Sequence, residues 1–369
     1  MSTVVHPTSR RAPGRLALAL VVVALASALV ACTPAPPSRQ GTARNAAAGW
    51  LAAQFEPGGL IPSPYDPAQS AFSDSAAAIA SLEAIDRAEA VTDAAYADLL
   101  GRIDEYVVDG SGADRPGALA RLIIAVVSKG GDARDAAGVD LVARLEATLL
   151  TGGSATGRFG VQDPTYDGVF RQGLALAALS LVSPLPAAVD PGAGAVEDLP
   201  AVAWLLDQQC DSGPAVGGWM SHRSDLSTPC GFDPITWVDV DSNASALAAI
   251  GLRAVGADMP ADPLAFLLGS RTAEGGWSYN ASPTGTTDPD STGLAMAALE
   301  SLGSTPDADA VDALLGFQLT AADAPTPADR GAFWYPPFLP SDPHVPNLLA
   351  TNDALVALLP GVWPANVAP

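Results

Sequence analysis

The chain has 369 residues, 40 of them acidic and 18 basic, a formal charge of −22, and 49% are hydrophobic. An acid excess of this size excludes nucleic acid as an electrostatic partner and sets the chain against anionic lipid, while the apolar content is enough for a large core. Lys129 is the only lysine.

The first stretch has the character of an export signal. Arg10, Arg11 and Arg15 precede an unbroken apolar run from Leu16 to Val30, too short and too one-sidedly flanked for a membrane span. It ends in Leu29-Val30-Ala31-Cys32, which resembles a bacterial lipoprotein processing box. That resemblance implies removal of residues 1–31 and lipidation of Cys32, hence a lipid anchor on the extracytoplasmic face of the cell membrane. Residues 32–44, rich in Pro, Ser and Thr, read as a tether. The leader carries three basic and no acidic residues, so the mature charge is 15 − 40 = −25. Cys210 and Cys230 then remain as a pair in an exported chain, where an even count favours a disulfide.

Six helical hairpins follow over residues 45–360, with 361–369 as a C-terminal tail. The first is 45–55 with 74–85, its second helix capped by Asp74. The others pair 92–106 with 116–128, 135–150 with 169–181, 199–209 with 242–255, 262–270 with 291–302, and 307–319 with 352–359. The first helix of each pair is amphipathic. The second, as in Leu174 to Leu179, Ala244 to Ile250 and Leu294 to Leu299, is almost wholly Ala, Leu, Ile and Met. A helix apolar on every side is buried on every side, so six of them form an inner ring within an outer one.

The connections are unequal. Those from first to second helix are long, as in 210–241, 271–290 and 320–351, while several returns take only a few residues. In an alternating ring the long loops share one end, and elaborated loops on a rigid scaffold carry function. Tyr65, Tyr166, Trp219, Trp237, Trp277, Tyr279, Trp334 and Tyr335 lie in them. Trp219 and Trp277 follow Gly-Gly and read as turn packing, whereas Trp237 and Tyr335 are expected at the mouth.

The spacing of Phe266-Leu267, Arg271, Gly275 and Trp277 resembles the "QW" repeat of squalene–hopene cyclases, with arginine in the glutamine position. Trp204-Leu205 with Gln209 and Gly217-Gly218-Trp219 is a second copy, Leu314-Leu315 with Gln318, Gly331 and Phe333-Trp334 a looser third, and Trp50-Leu51 with Gln54 and Gly58-Gly59 a partial fourth. The chain is thus similar to the prenyltransferase and squalene-oxidase repeat superfamily. That resemblance implies an all-α fold, an α/α toroid of six inner and six outer helices, and leaves the activity open.

Asp239-Val240-Asp241-Ser242 is the sharpest catalytic candidate. Class II terpene cyclases of similar fold use Asp-x-Asp-Asp, whose middle acid protonates an alkene or epoxide. Ser242 replaces the third acid, so Asp241 matches the proton donor without one partner. Asp288-Pro289-Asp290-Ser291 is a second partial match. The plainer reading makes Asp241 and Asp290 helix N-caps. The prenyltransferase zinc site and the thioester motif are absent, and Cys210, His222 and Cys230 lack a fourth ligand at a recognisable spacing, so the sequence implies no metal and no cofactor. Paired carboxylates with aromatics also suit a toroidal glycosidase or polysaccharide lyase.

The expectation is a surface-anchored lipoprotein that holds a small molecule or partner at the long-loop face, through Tyr65, Tyr166, Trp237, Tyr279, Asp288, Asp290, Trp334 and Tyr335. Capture for an uptake transporter fits that place. The competing expectation is a terpenoid-cyclase-like enzyme acting through Asp239 and Asp241.

Overall fold

The computed structural model describes Met1 and residues 38–233, 235–236, 238–336 and 343–368. The leader, Cys32 and Trp237 lie outside the described residues. The chain divides into Met1–Arg39 and Gln40–Pro369, and all elements named below lie in the second, apart from the first residue of α1.

The fold is all-α. The first helices of the hairpins are α1 (Arg39–Ala52), α3 (Glu89–Gly101) with its short continuation α4 (Ile103–Val107), α6 (Leu141–Ala147), α8 (Pro200–Asp207), α10 (Pro263–Gly269) and α12 (Ala308–Leu315). The second helices are α2 (Phe72–Glu83), α5 (Pro116–Ser128), α7 (Gly168–Ser180), α9 (Ser242–Ala254), α11 (Pro289–Ser301) and α13 (Leu348–Leu358). The strands β1 (Phe333–Trp334) and β2 (Pro346–Asn347) pair antiparallel, Phe333 opposite Asn347, just before α13.

The Ala- and Leu-rich helices pack in a closed cycle: α2 on α5, α5 on α7, α7 on α9, α9 on α11, α11 on α13, and α13 back on α2. Close approach explains the glycines among them. A Cβ on Gly173 of α7 would lie 2.3 Å from the Leu247 carbonyl oxygen of α9, and one on Gly251 would lie 2.3 Å from the Gly173 carbonyl oxygen. Side chains from all six helices, with Trp363, surround a cavity of only about 40 Å³.

The repeat motif has a physical task. Trp219 and Trp277 are fully buried, and their indole N–H groups donate to the carbonyls of Leu205 and Leu267 at 2.9 and 2.7 Å. Gln209 Nε2 donates to Gly217 and, in the next hairpin, to Ala261. Arg271 does the same for Gly275 and Asp307. Gln318 Nε2 donates to Gly331 and to Ala43 of α1, at 3.0 and 2.8 Å, joining the last hairpin to the first. Gly331, at φ +95°, cannot be replaced without conflict, since its Cβ would fall 2.4 Å from the Ala46 carbonyl oxygen.

Several expected boundaries move. The helix expected over 135–150 covers only Leu141–Ala147, because residues 136–139 form a tight bridged turn with Ala137 and Gly138 at positive φ. The helix expected over 92–106 breaks at Arg102, whose φ is −130°. The last part of the expected tether is helical from Arg39, and beyond α13 Trp363 and Val367 are buried. The Cys210–Cys230 disulfide is present. Among the described residues, no helix is long and apolar enough to cross a membrane.

Candidate functional site

Acids at the starts of α11 and α2 and in the middle of α13 build one cluster. Asp288 caps α11: its Oδ1 accepts the Ser291 amide and its Oδ2 the Ser291 hydroxyl, both at 2.8 Å. Pro289 fits the first helical position, where no N–H is needed. This corrects the expectation that Asp290 is an N-cap. Asp290 is already inside the helix, 8% exposed, and its Oδ1 is buried without a hydrogen-bond partner.

Asp74 is likewise inside the first turn of α2, whose N-cap is Ala71, rather than capping it. Asn352 lies in the second turn of α13, which begins at Leu348 rather than at the expected residue 352; it is 1% exposed and points Nδ2 at Asp74, 3.4 Å from its carbonyl oxygen and 3.4 Å from Oδ1. The Asn352 Oδ1 has no partner. Asp353 follows it, and Arg121 of α5 is the cation facing both Asp353 and Asp74.

Burial and mutual repulsion keep protons on this cluster. Asp290 is pushed up to about 9, first by burial and then by Asp353, Asp288 and Asp74. Asp353 is raised by burial, against the pull of Arg121. Asp74 and Asp288 are raised for the same leading reason. Asp290 and Asp353 are close enough that their protons belong to the pair. At neutral pH the cluster therefore holds at least one neutral carboxyl, which can donate a hydrogen bond or a proton.

A second acid sits beside it. Asp241 caps α9, its Oδ1 accepting the amides of Asn243 at 2.7 Å and Ala244 at 3.0 Å. Its Oδ2 accepts the Ser221 hydroxyl at 3.4 Å, and the Tyr279 hydroxyl is a further group that favours its charged form. Burial raises the Asp241 carboxyl, opposed by those four donors, and Tyr279 is pushed up to about 12 by burial and by Asp241. Tyr279, Asp288 and Tyr335 line one open groove of about 590 Å³ with Ser278, Asn280 and Thr286. Tyr335 is raised by burial first and then by Asp288, Asp290 and Tyr279, and Asp288 is the member of the acid cluster that lines the groove.

Other expected site residues lie apart. Asp239 lines a different groove with Cys230 and Phe266. Tyr65 is 96% exposed in the turn before α2. The Tyr166 hydroxyl donates to the Thr236 carbonyl at 3.4 Å. Trp334 stacks on His344 with ring centres 3.5 Å apart and leans on Phe317, so it props the Tyr335 side of the groove. Asp353, Asn352 and Arg121 were missed by sequence reasoning. Their signal is a polar residue within the first two turns of an otherwise apolar helix. Among the described residues, no three His, Cys, Asp or Glu are arranged to hold a metal ion.

No protein-family model matches the chain, and no curated protein matches it. Solved structures do. A glycosidase with one glutamate-to-alanine substitution, in complex with glucose, is similar at 16% identity with a TM-score of 0.52, over 87% of this chain and 98% of that one. A wild-type glycosidase is similar at 17% identity with a TM-score of 0.51 and the same coverage. Likeness at such identity is one of fold.

Proposed function

We propose that this protein is an α/α toroid, held outside the cell by lipid on Cys32, that binds a small hydroxyl-rich molecule at the acidic, tyrosine-edged mouth where the inner helices begin. Delivery to an uptake transporter is the role that fits such an anchor. The closed cycle of apolar helices and the tie from Gln318 to Ala43 support the toroid. One observation carries the binding site: a buried acid, Asp290, left without a partner on Oδ1 among the described residues, two residues from Asp288, which lines an open groove with Tyr279 and Tyr335. A site that hydrogen-bonds ligand hydroxyls has such free polar atoms aimed at them.

The cyclase reading ranks behind both binding and hydrolysis. Asp241 has the burial of a general acid, but two backbone amides occupy its Oδ1. The axial cavity of about 40 Å³ is far below the roughly 300–1,000 Å³ of a site for a large ligand. Glycoside hydrolysis, with Asp290 as proton donor, is favoured over cyclisation by the neutral carboxyl and by fold likeness to glycosidases.

Calorimetric titration with glucose and maltose tests the reading. Saturable binding that falls roughly tenfold or more in Tyr335→Ala, about 1.4 kcal/mol, is expected. Absence of binding to either sugar, with no release of glucose from maltose, contradicts it. Globomycin tests the anchor separately: accumulation of an unprocessed, unlipidated precursor is expected, and unchanged processing overturns lipidation of Cys32.

A further inference from the structure

Two buried oxygens of the acid cluster have no hydrogen donor among the described residues. Asp290 Oδ1 and Asn352 Oδ1 lie on residues 8% and 1% exposed, and neither has a partner. Asn352 cannot turn its amide round without giving up Asp74, which Nδ2 contacts. The Asn352 oxygen is an acceptor, the Asp290 oxygen becomes one when that carboxyl ionises, and both belong to the same cluster.

The charges facing them come from each neighbouring element. Asp74 lies on α2, Asp288 and Asp290 at and just inside the start of α11, Asp353 on α13, and Arg121 on α5, with Tyr335 above. Four carboxyl groups thus face one guanidinium. A ligand hydroxyl brings one hydrogen and no charge, and an anion is repelled. An ammonium brings three donors, no acceptor and the missing positive charge. The donor set does not form a metal cage. Tyr279 and Tyr335 line the groove beside Asp288, and aromatic rings favour a cation.

We propose that the molecule bound at this mouth carries an ammonium group, seated among Asp290, Asp353 and Asn352. The inference rests on the mouth being a small-molecule site, and it names the charge of the molecule. When the ammonium arrives, the carboxyl pair ionises and its proton leaves to solvent, so binding tightens as pH rises through neutrality.

Methylammonium chloride is the probe, compared with potassium chloride at equal ionic strength near neutral pH, with thermal unfolding as the readout. A rise in midpoint with methylammonium alone is expected, lost in both Asp290→Asn and Asp353→Asn, with proton release seen as a buffer-dependent binding heat. The asparagine variants preserve shape, and circular dichroism checks that they remain folded. An equal rise with potassium, no rise at all, or a rise that survives both substitutions overturns the proposal. Glucose in a parallel arm separates the two readings: stabilisation by glucose without methylammonium leaves the hydroxyl-binding mouth and removes the ammonium seat, and the converse does the opposite.

Discussion

Replacing Asp290 with asparagine should make the protein more stable at neutral pH, although it removes a native side chain. The carboxyl is raised from 3.8 to about 9 in the folded protein. A raised acid contributes fully below the unfolded value, near 4, and that contribution is lost as pH rises through the folded one. Linkage amounts to about 1.4 kcal/mol for each pH unit between those limits, so roughly 4 kcal/mol by pH 7, and about 2 kcal/mol once site relaxation and proton sharing with Asp353 are allowed for. Asparagine carries no such penalty and keeps the shape. Urea unfolding of both proteins at several pH values from about 4.5 to 8 measures the difference. The curves should meet at the acid end and diverge towards neutrality, with Asp290→Asn above. Parallel curves across this range refute a buried, proton-holding Asp290.

Three further outcomes test the scaffold. Cys210→Ser with Cys230→Ser should cost about 3 kcal/mol through release of a loop of 20-residue separation, read as a lower thermal midpoint. Gly173→Ala should destabilise by ~2 kcal/mol or more, because its Cβ would meet the Leu247 carbonyl, whereas Gly49→Ala, with nothing within 4 Å on an exposed part of α1, should be neutral or stabilising. Gln318→Ala should cost about 1–2 kcal/mol, since it removes the donor shared by the Gly331 carbonyl and the Ala43 carbonyl of α1, and hydrogen exchange should rise first in α1 and α12.

The apolar second helices were legible because burial on all sides leaves an unmistakable Ala and Leu texture: α5 spans the expected residues, and α7 and α9 differ by a residue. The amphipathic helices were less so, since the turn at 136–139 and the break at Arg102 depend on local φ angles that carry little hydrophobic signal. At the site, Asp241 and Tyr279 were legible as acid and aromatic near a helix start. Asp288-Pro289 held the cue that the proline takes the first helical position, making Asp288 the cap and freeing Asp290. Asp74, Arg121 and Asp353 could not be gathered from spacing, because they come from helices far apart in the chain and meet only when the cycle from α13 to α2 closes.

Native mass spectrometry of the protein released from its own membrane is the most direct test of a binding mouth. The account predicts an adduct of small, hydroxyl-rich mass that carries an amine and is lost in Asp290→Asn. A bare polypeptide mass, under conditions that keep a known sugar–protein complex intact, contradicts it.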